Sequence, residues 1–265
     1  MTQKFVVMST MRSGTTWLVS LLDSHEQITC AGEMLHQKLR QCKLITYHKE
    51  SSLGYYLAER PGKRKILKRN KHRVLFEYLD WFYASYDDSS ALGFKLMLDD
   101  INQFPDVVEY LRHQDVKVIL LLRRNLVDRL ISHALFSTRE PPHGVTAKEK
   151  VYRLINRYRF ARLDASGQLI LNLNNSMKRL GFYENENAAL KHHATQCETE
   201  VIYYEDLAGN IDECMRNVFP FLGISATNLS SSRKKVRTKN ISDVVKNFSE
   251  FSKRLEGTRF QEFLK

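Results

Sequence analysis

Six residues near the start of the chain, Arg12-Ser13-Gly14-Thr15-Thr16-Trp17, combine the parts needed to hold an anion. A short apolar run, Phe5-Val6-Val7-Met8, precedes them and reads as a buried strand. Ser13-Gly14 makes a small-residue turn, and Thr15 or Thr16 can open a helix with Trp17, Leu18, Leu21 and Leu22 on one face. At such a turn, unpaired backbone N–H groups and the positive end of the helix dipole converge on one point. Arg12 adds a planar, multi-donor cation at the lip. The arrangement is not the Walker pattern, because there is one glycine and no lysine after it. A second residue able to do chemistry is Glu33. Residues 28–31 read as a short second strand that delivers it to a carboxyl end, where open α/β sheets place their ligands.

These residues need a scaffold, and the rest of the chain supplies one. Gly93-Phe94-Lys95-Leu96-Met97 reads as a strand, followed by Leu98-Asp99-Asp100. Residues 116–122 are almost continuously apolar, as in an interior strand of a parallel sheet covered on both faces. Leu75, Phe76, Leu79, Trp81 and Phe82 suit a helix whose aromatic face is core. Between residues 60 and 73 lies a dense basic run, either a solvated face or a flap that attracts an anionic acceptor or nucleotide. A long helical pattern is expected over residues 145–180 and a second over 185–197. Within the latter, His192 and His193 are adjacent, so they point about 100° apart and do not share one ion. A strand is expected from Glu200 to Leu207, then a helix over 211–221 closing at Gly223. The sum is an α/β fold in which residues 1–265 form one domain with a central parallel sheet flanked by helices.

Composition narrows the function classes. Of 265 residues, 43% are apolar and only 11 are glycine and 5 proline, which argues a globular chain throughout. No run reaches the ~18 apolar residues of a membrane span, and Met1–Lys4 contain no apolar leader, so a cytoplasmic location is expected. Cys30, Cys42, Cys197 and Cys214 have no C-x-x-C spacing, so neither zinc nor a disulfide framework is indicated. The net charge of +11 fits an enzyme for a polyanionic nucleotide, an anionic surface, or a nucleic-acid binder. No nucleic-acid reader motif accompanies it.

The loop Arg12-Ser13-Gly14-Thr15-Thr16-Trp17 resembles the 5′-phosphosulfate loop of sulfotransferases that use 3′-phosphoadenosine 5′-phosphosulfate (PAPS). Cytosolic members usually carry lysine where this chain has Arg12. Bacterial and carbohydrate-acting members often carry arginine, so the resemblance points to that branch. A second stretch, Arg123-Arg124-Asn125-Leu126-Val127-Asp128-Arg129-Leu130-Ile131-Ser132, is similar to the family's 3′-phosphate site, with Arg124 and Ser132 at the matching spacing. Tyr204-Glu205-Asp206-Leu207 resembles the family's Y-E-D-L signature, whose tyrosine lies near adenine. The basic stretch with Arg237, Thr238 and Lys239, ahead of Asp243, stands where the family closes a loop over the 3′-phosphate.

The resemblance implies sulfuryl transfer from PAPS to an acceptor hydroxyl. Gly14, Thr15 and Thr16, with Ser13, would hold the 5′-phosphate, and Arg12 would neutralise charge on the leaving group. Trp17 would stack on adenine or, equally, serve the core of its helix. Cytosolic members place a catalytic histidine where this chain has Met97, which cannot accept a proton. Glu33, at the position of a glutamate base in a bacterial subgroup, is therefore the expected base. Asp99 matches no family position, and His133 adjoins the 3′-phosphate serine. No metal is expected. The acceptor is expected to be a small-molecule, carbohydrate or lipid hydroxyl, with carbohydrate, glycolipid and natural-product acceptors favoured over phenols. The alternatives are a nucleotide-dependent kinase, which needs a Walker lysine or an acidic Mg²⁺ site, and a basic nucleic-acid-binding module.

Overall fold

In a computed structural model, which describes residues 2–38, 41, 47–86, 88–138, 161–225 and 240–264, the apolar runs become strands. In chain order they are β1 (Gln3–Ser9), β2 (Ile28–Glu33), β3 (Ala91–Met97), β4 (Lys117–Leu122), β5 (Ala161–Leu163), β6 (Leu169–Leu171) and β7 (Thr199–Tyr203). Five form one sheet, ordered β2-β3-β1-β4-β7, with every pairing parallel. The helices are α1 (Thr15–Leu22), α2 (Leu53–Glu59), α3 (Pro61–Arg69), α4 (Lys71–Tyr83), α5 (Leu98–Gln103), α6 (Asp106–His113), α7 (Leu126–Thr138), α8 (Leu173–Ala194), α9 (Tyr204–Gly209), α10 (Ile211–Leu222), α11 (Ile241–Val244) and α12 (Phe248–Leu255). Among the described residues no helix is long and apolar enough to cross a membrane.

The strands lack polar alternation because both faces are covered. Val6, Met8, Phe94, Leu96 and Leu120 pack with Leu57, Leu75, Leu79, Phe82 and Leu111 on one side. Phe5, Val7, Ile119 and Leu121 pack with Leu18, Leu22, Val218 and Leu222 on the other. Neighbouring residues of one strand thus enter opposite cores, as the pleat demands. Gly93 pairs with Phe5 in register, and a Cβ there would come within 2.5 Å of the Phe5 ring. The glycine leaves that buried ring its place.

The chain forms two compact units, Met1–Leu122 with Asn187–Lys234, and Arg123–Glu186 with Lys235–Lys265. The five-stranded sheet and its two cores belong to the first. In the second, α7, the antiparallel pair β5–β6 and α12 surround Leu130, Ile131, Leu171, Leu180, Tyr183 and Phe251. Arg129 is fully buried there, paired with Glu186, with its guanidinium 3.9 Å from the centre of the Tyr183 ring.

Several elements differ from the sequence expectation. The helix expected over 145–180 falls partly on residues 139–160, which lie outside the described residues. Residues 161–171 form a hairpin instead, and α8 begins only at Leu173. The Asp164 carboxylate accepts from the N–H groups of Ser166 and Gln168, both at 2.9 Å, and fixes a turn that a helix cannot contain. The strand expected to reach Leu207 stops at Tyr203. Glu205 and Asp206 sit in the first turn of α9, where carboxylates meet the positive end of the dipole. Asp243 falls inside α11, which begins at Ile241 after Asn240. The basic run folds as α3 and the start of α4.

Gly93→Ala should destabilise the protein by about 1–3 kcal/mol through overpacking. In a Phe5→Leu background, where the ring is gone, the same change should cost less, as read from paired denaturant titrations. Equal costs in both backgrounds would show that the Phe5 ring does not set the requirement for glycine.

Candidate active site

The loop after β1 is shaped by its own hydroxyls. Ser9 Oγ donates to the Leu121 carbonyl at 2.9 Å, tying the end of β1 to β4. Thr10 Oγ1 and Ser13 Oγ share a hydrogen bond of 2.9 Å, and both residues are buried. Their hydroxyls therefore hold the turn rather than face a ligand. Arg12 and Gly14 take left-handed backbone angles, φ 65° and φ 86°. For an arginine this conformation costs about 1–3 kcal/mol and marks a loop held for a purpose. Gly14 caps α1, its carbonyl accepting from the N–H groups of Trp17 and Leu18. Among the described residues, nothing accepts from the N–H groups of Ser13, Gly14, Thr15 or Thr16. The result is a cluster of unused donors at a helix N-terminus, beside a strained arginine.

Tyr204, the first residue of α9, closes one side of this loop. A Cβ at Gly14 would lie 2.4 Å from Tyr204 Cδ2, so the ring rests directly on the glycine. Trp17 is half-buried, packs on the core beside α1, and meets the Tyr204 ring edge-on at 6.1 Å.

Glu33 reaches its position through an irregularity in β2. Ala31 pairs with Phe94 and Glu33 with Lys95, so Gly32 is the extra residue of a bulge. The Gly32 N–H donates to the Tyr47 carbonyl. The bulge sets Glu33 beside the nearly buried Lys95, whose Nζ donates to Oε1 at 2.6 Å. His36 Nε2 meets Oε2 at 3.1 Å. Burial alone would raise the Glu33 carboxyl, but the His36 hydrogen bond and the Lys95 charge outweigh it and bring it down to about 2. His36 moves the other way: burial would lower it, yet the hydrogen bond and charge of Glu33 raise it. Asp100 accepts from the Met97 N–H at 3.0 Å, and burial lifts its carboxyl to about 6 against that bond, with the Glu33 charge adding to the rise.

The first unit thus holds Arg12, Ser13, Gly14, Thr15, Thr16, Trp17, Glu33 and Tyr204 from the sequence expectation. Lys95, His36 and Asp100 were missed. A charged residue inside an apolar strand was the available signal for Lys95, and the Glu-x-x-His spacing was the signal for His36. Asp99, one residue from the buried Asp100, is exposed. In the second unit Arg124 is exposed ahead of α7 and Ser132 is half-buried on it. His133 shares a 2.8 Å hydrogen bond with the Tyr183 hydroxyl, which burial pushes up. Arg237, Thr238 and Lys239 lie outside the described residues.

A family model described as the sulfotransferase domain matches residues 2–261. The chain belongs to the sulfotransferase family. No curated protein matches it in sequence. Among solved structures, this sulfotransferase is similar to the sulfotransferase domain from the curacin biosynthetic pathway, with 14% identity and a TM-score of 0.50, covering 86% of this chain and 76% of that one. A sulfotransferase from Alicyclobacillus acidocaldarius gives 16% identity and a TM-score of 0.46, covering 100% and 96%. Mouse sulfotransferase SULT7A1, complexed with PAP, gives 13% identity and a TM-score of 0.42, covering 99% and 88%. The likeness to the curacin-pathway domain shows the fold: a central parallel sheet flanked by helices.

In this sulfotransferase, Gly14→Ala combines a strained φ with a clash against Tyr204. It should lower stability by about 1–3 kcal/mol and weaken nucleotide binding. Introduced into Tyr204→Ala, where the steric part is absent, the same substitution should cost measurably less in thermal denaturation. Identical losses in both backgrounds would mean that Tyr204 does not shape the loop.

Proposed function

We propose that the protein transfers a sulfuryl group from PAPS to a hydroxyl of a carbohydrate, glycolipid or natural-product acceptor. The observation that carries this reading is the loop at residues 12–16. Unused N–H donors at the start of α1, beside the strained Arg12, fit a phosphosulfate better than any neutral ligand. In this reading the N–H groups of Gly14, Thr15 and Thr16 hold the 5′-phosphate. Arg12 neutralises charge on the bridging oxygen as it leaves. Arg124 and Ser132 are assigned to the 3′-phosphate on their spacing and the family resemblance. Tyr204 and Trp17 are assigned to the adenine. No lysine follows Gly14 as a P-loop kinase would need. Cys30, Cys197 and Cys214 are free thiols, which supports a reducing compartment such as the cytoplasm.

Glu33 receives the acceptor's proton. A carboxyl at about 2 is a weak base and does not ionise an alcohol in advance. As the sulfur–oxygen bond forms, however, the hydroxyl proton becomes strongly acidic, and a positioned carboxylate then takes it. Lys95 is the positioning residue: it holds Glu33 ionised and points it along β3.

Calorimetry with 3′-phosphoadenosine 5′-phosphate and with AMP tests the donor reading. The bisphosphate should bind much more tightly, and Arg124→Ala should cost about 2–4 kcal/mol of that binding. Equal affinity for the two nucleotides removes the 3′-phosphate site.

The base assignment has its own test. Glu33→Gln should lower kcat by ~10²–10⁴-fold with nucleotide affinity almost unchanged. In the unmodified protein Glu33 stays ionised above about pH 3, so no acid limb of the rate profile belongs to it. Lys95→Met removes a group that lowers the carboxyl, so the Glu33 pKa rises and an acid limb should enter the measurable range. A Lys95→Met profile that superimposes on the unmodified one sinks the positioning role.

A further inference from the structure

The basic run between residues 60 and 73, given no role in the proposed donor site, folds in part into a helix with a one-sided charge. In α3, Leu67 is buried and Ile66 packs against the core, while Arg64, Lys65, Lys68 and Arg69 are exposed. At 100° per residue these four share one outward arc, with Arg64 and Lys68, and Lys65 and Arg69, one turn apart. Like charges at that spacing repel, and the first turn contains no acidic residue to meet the helix dipole.

The neighbouring cations differ. Arg60 pairs with Glu59, Lys63 and Arg73 both pair with Glu77, and His72 approaches Asp106 at 3.7 Å. Among the described residues, none of the four outward cations has an Asp or Glu partner. The uncompensated charge is therefore concentrated on one face of one helix.

We propose that this face of α3 binds a linear anionic polysaccharide bearing carboxylate or sulfate groups. A short Lys/Arg-rich segment is the charge pattern of heparin-type and nucleic-acid patches. The arc carries no aromatic or large aliphatic side chain. It therefore has nothing to insert into a bilayer and nothing on which unpaired bases stack. Arginine and lysine together supply forked and point-like donors for sulfate and carboxylate groups along a chain. As a statement about the acceptor, the proposal rests on the sulfotransferase reading with a carbohydrate acceptor, and it narrows that acceptor to a polyanion.

The test uses the full chain and a size-defined heparin oligosaccharide as probe. Binding should weaken as salt rises. The variant Arg64→Gln/Lys65→Gln/Lys68→Gln/Arg69→Gln should lose about tenfold in affinity, four exposed contacts of just under twofold each. It should also melt at a higher temperature than the unmodified protein without ligand, because the self-repulsion is gone. A matched control, Arg112→Gln/Lys191→Gln/Arg216→Gln/Lys253→Gln, removes the same charge from other exposed positions and should keep most of the affinity. Affinity for 3′-phosphoadenosine 5′-phosphate should be unchanged in both, so a failure of the donor reading is seen separately. Equal losses in variant and control overturn the proposal, as does a lower melting temperature of the α3 variant. Tighter binding of a DNA duplex or of phosphatidylserine vesicles than of the oligosaccharide overturns it too.

Discussion

A parallel sheet buried on both faces has no room for an unpaired charge, and that constraint governs this site. Lys95 lies in β3 between Phe94 and Leu96, nearly without solvent. A lone ammonium there would lose its hydration with nothing in return. Glu33 supplies the counter-charge, but a regular β2 would not place it opposite Lys95. The extra residue Gly32 does so. Removing one partner of such a pair costs more than the pair contributes, about 3–5 kcal/mol for a buried one and less here because Glu33 is half-buried. Fold and site are therefore coupled at one contact: the carboxylate that lets the sheet tolerate its lysine is the one we propose as the acceptor's base.

The loop after β1 obeys the complementary rule. Its donors stay unused because the loop's own hydroxyls, Thr10 with Ser13 and Ser9 with Leu121, stabilise the turn without consuming them. Two left-handed positions on either side of Ser13, at Arg12 and Gly14, turn the chain sharply enough to start α1 at Thr15. Tyr204 then rests on the glycine from the far edge of the sheet. The left-handed backbone at Arg12 thus adjoins a turn held by the Thr10–Ser13 hydrogen bond and a glycine covered by the Tyr204 ring.

The sheet was legible in the sequence because its strands are apolar on both faces. Residues 116–122 leave little choice but an interior strand, and the loop at 12–16 followed from the strand before it. What was not legible depended on partners distant in sequence. The bulge at Gly32 is set by register against β3, and no local pattern in Ile28-Thr29-Cys30-Ala31-Gly32-Glu33 announces it. The end of β7 was readable and was misread: Glu205 and Asp206 carry the acidic signature of a helix start, but the apolar run before them drew the strand too far. Residues 161–171 failed differently. Their apolar spacing matches a helix, and only the turn made by Asp164 breaks it.

Three groups at this contact have shifted titrations: Glu33, His36 and Asp100. Glu33 is ionised at any pH above about 3, and Asp100 ionises near 6. The hydrogen bond and charge of Glu33 raise the His36 ring against its burial, which favours its protonated form. Stability follows the same pairs with opposite signs. The depressed Glu33 carboxyl contributes stability above its ordinary value of 4.5, lost as pH falls toward 2. Asp100, raised from 3.8, favours the folded state in its protonated form, and that contribution is lost as pH rises through about 6. Near neutral pH the fold thus keeps the Glu33 clamp while holding Asp100 charged against its preference. Such a buried charge is tolerated because His36 and the Met97 N–H face it.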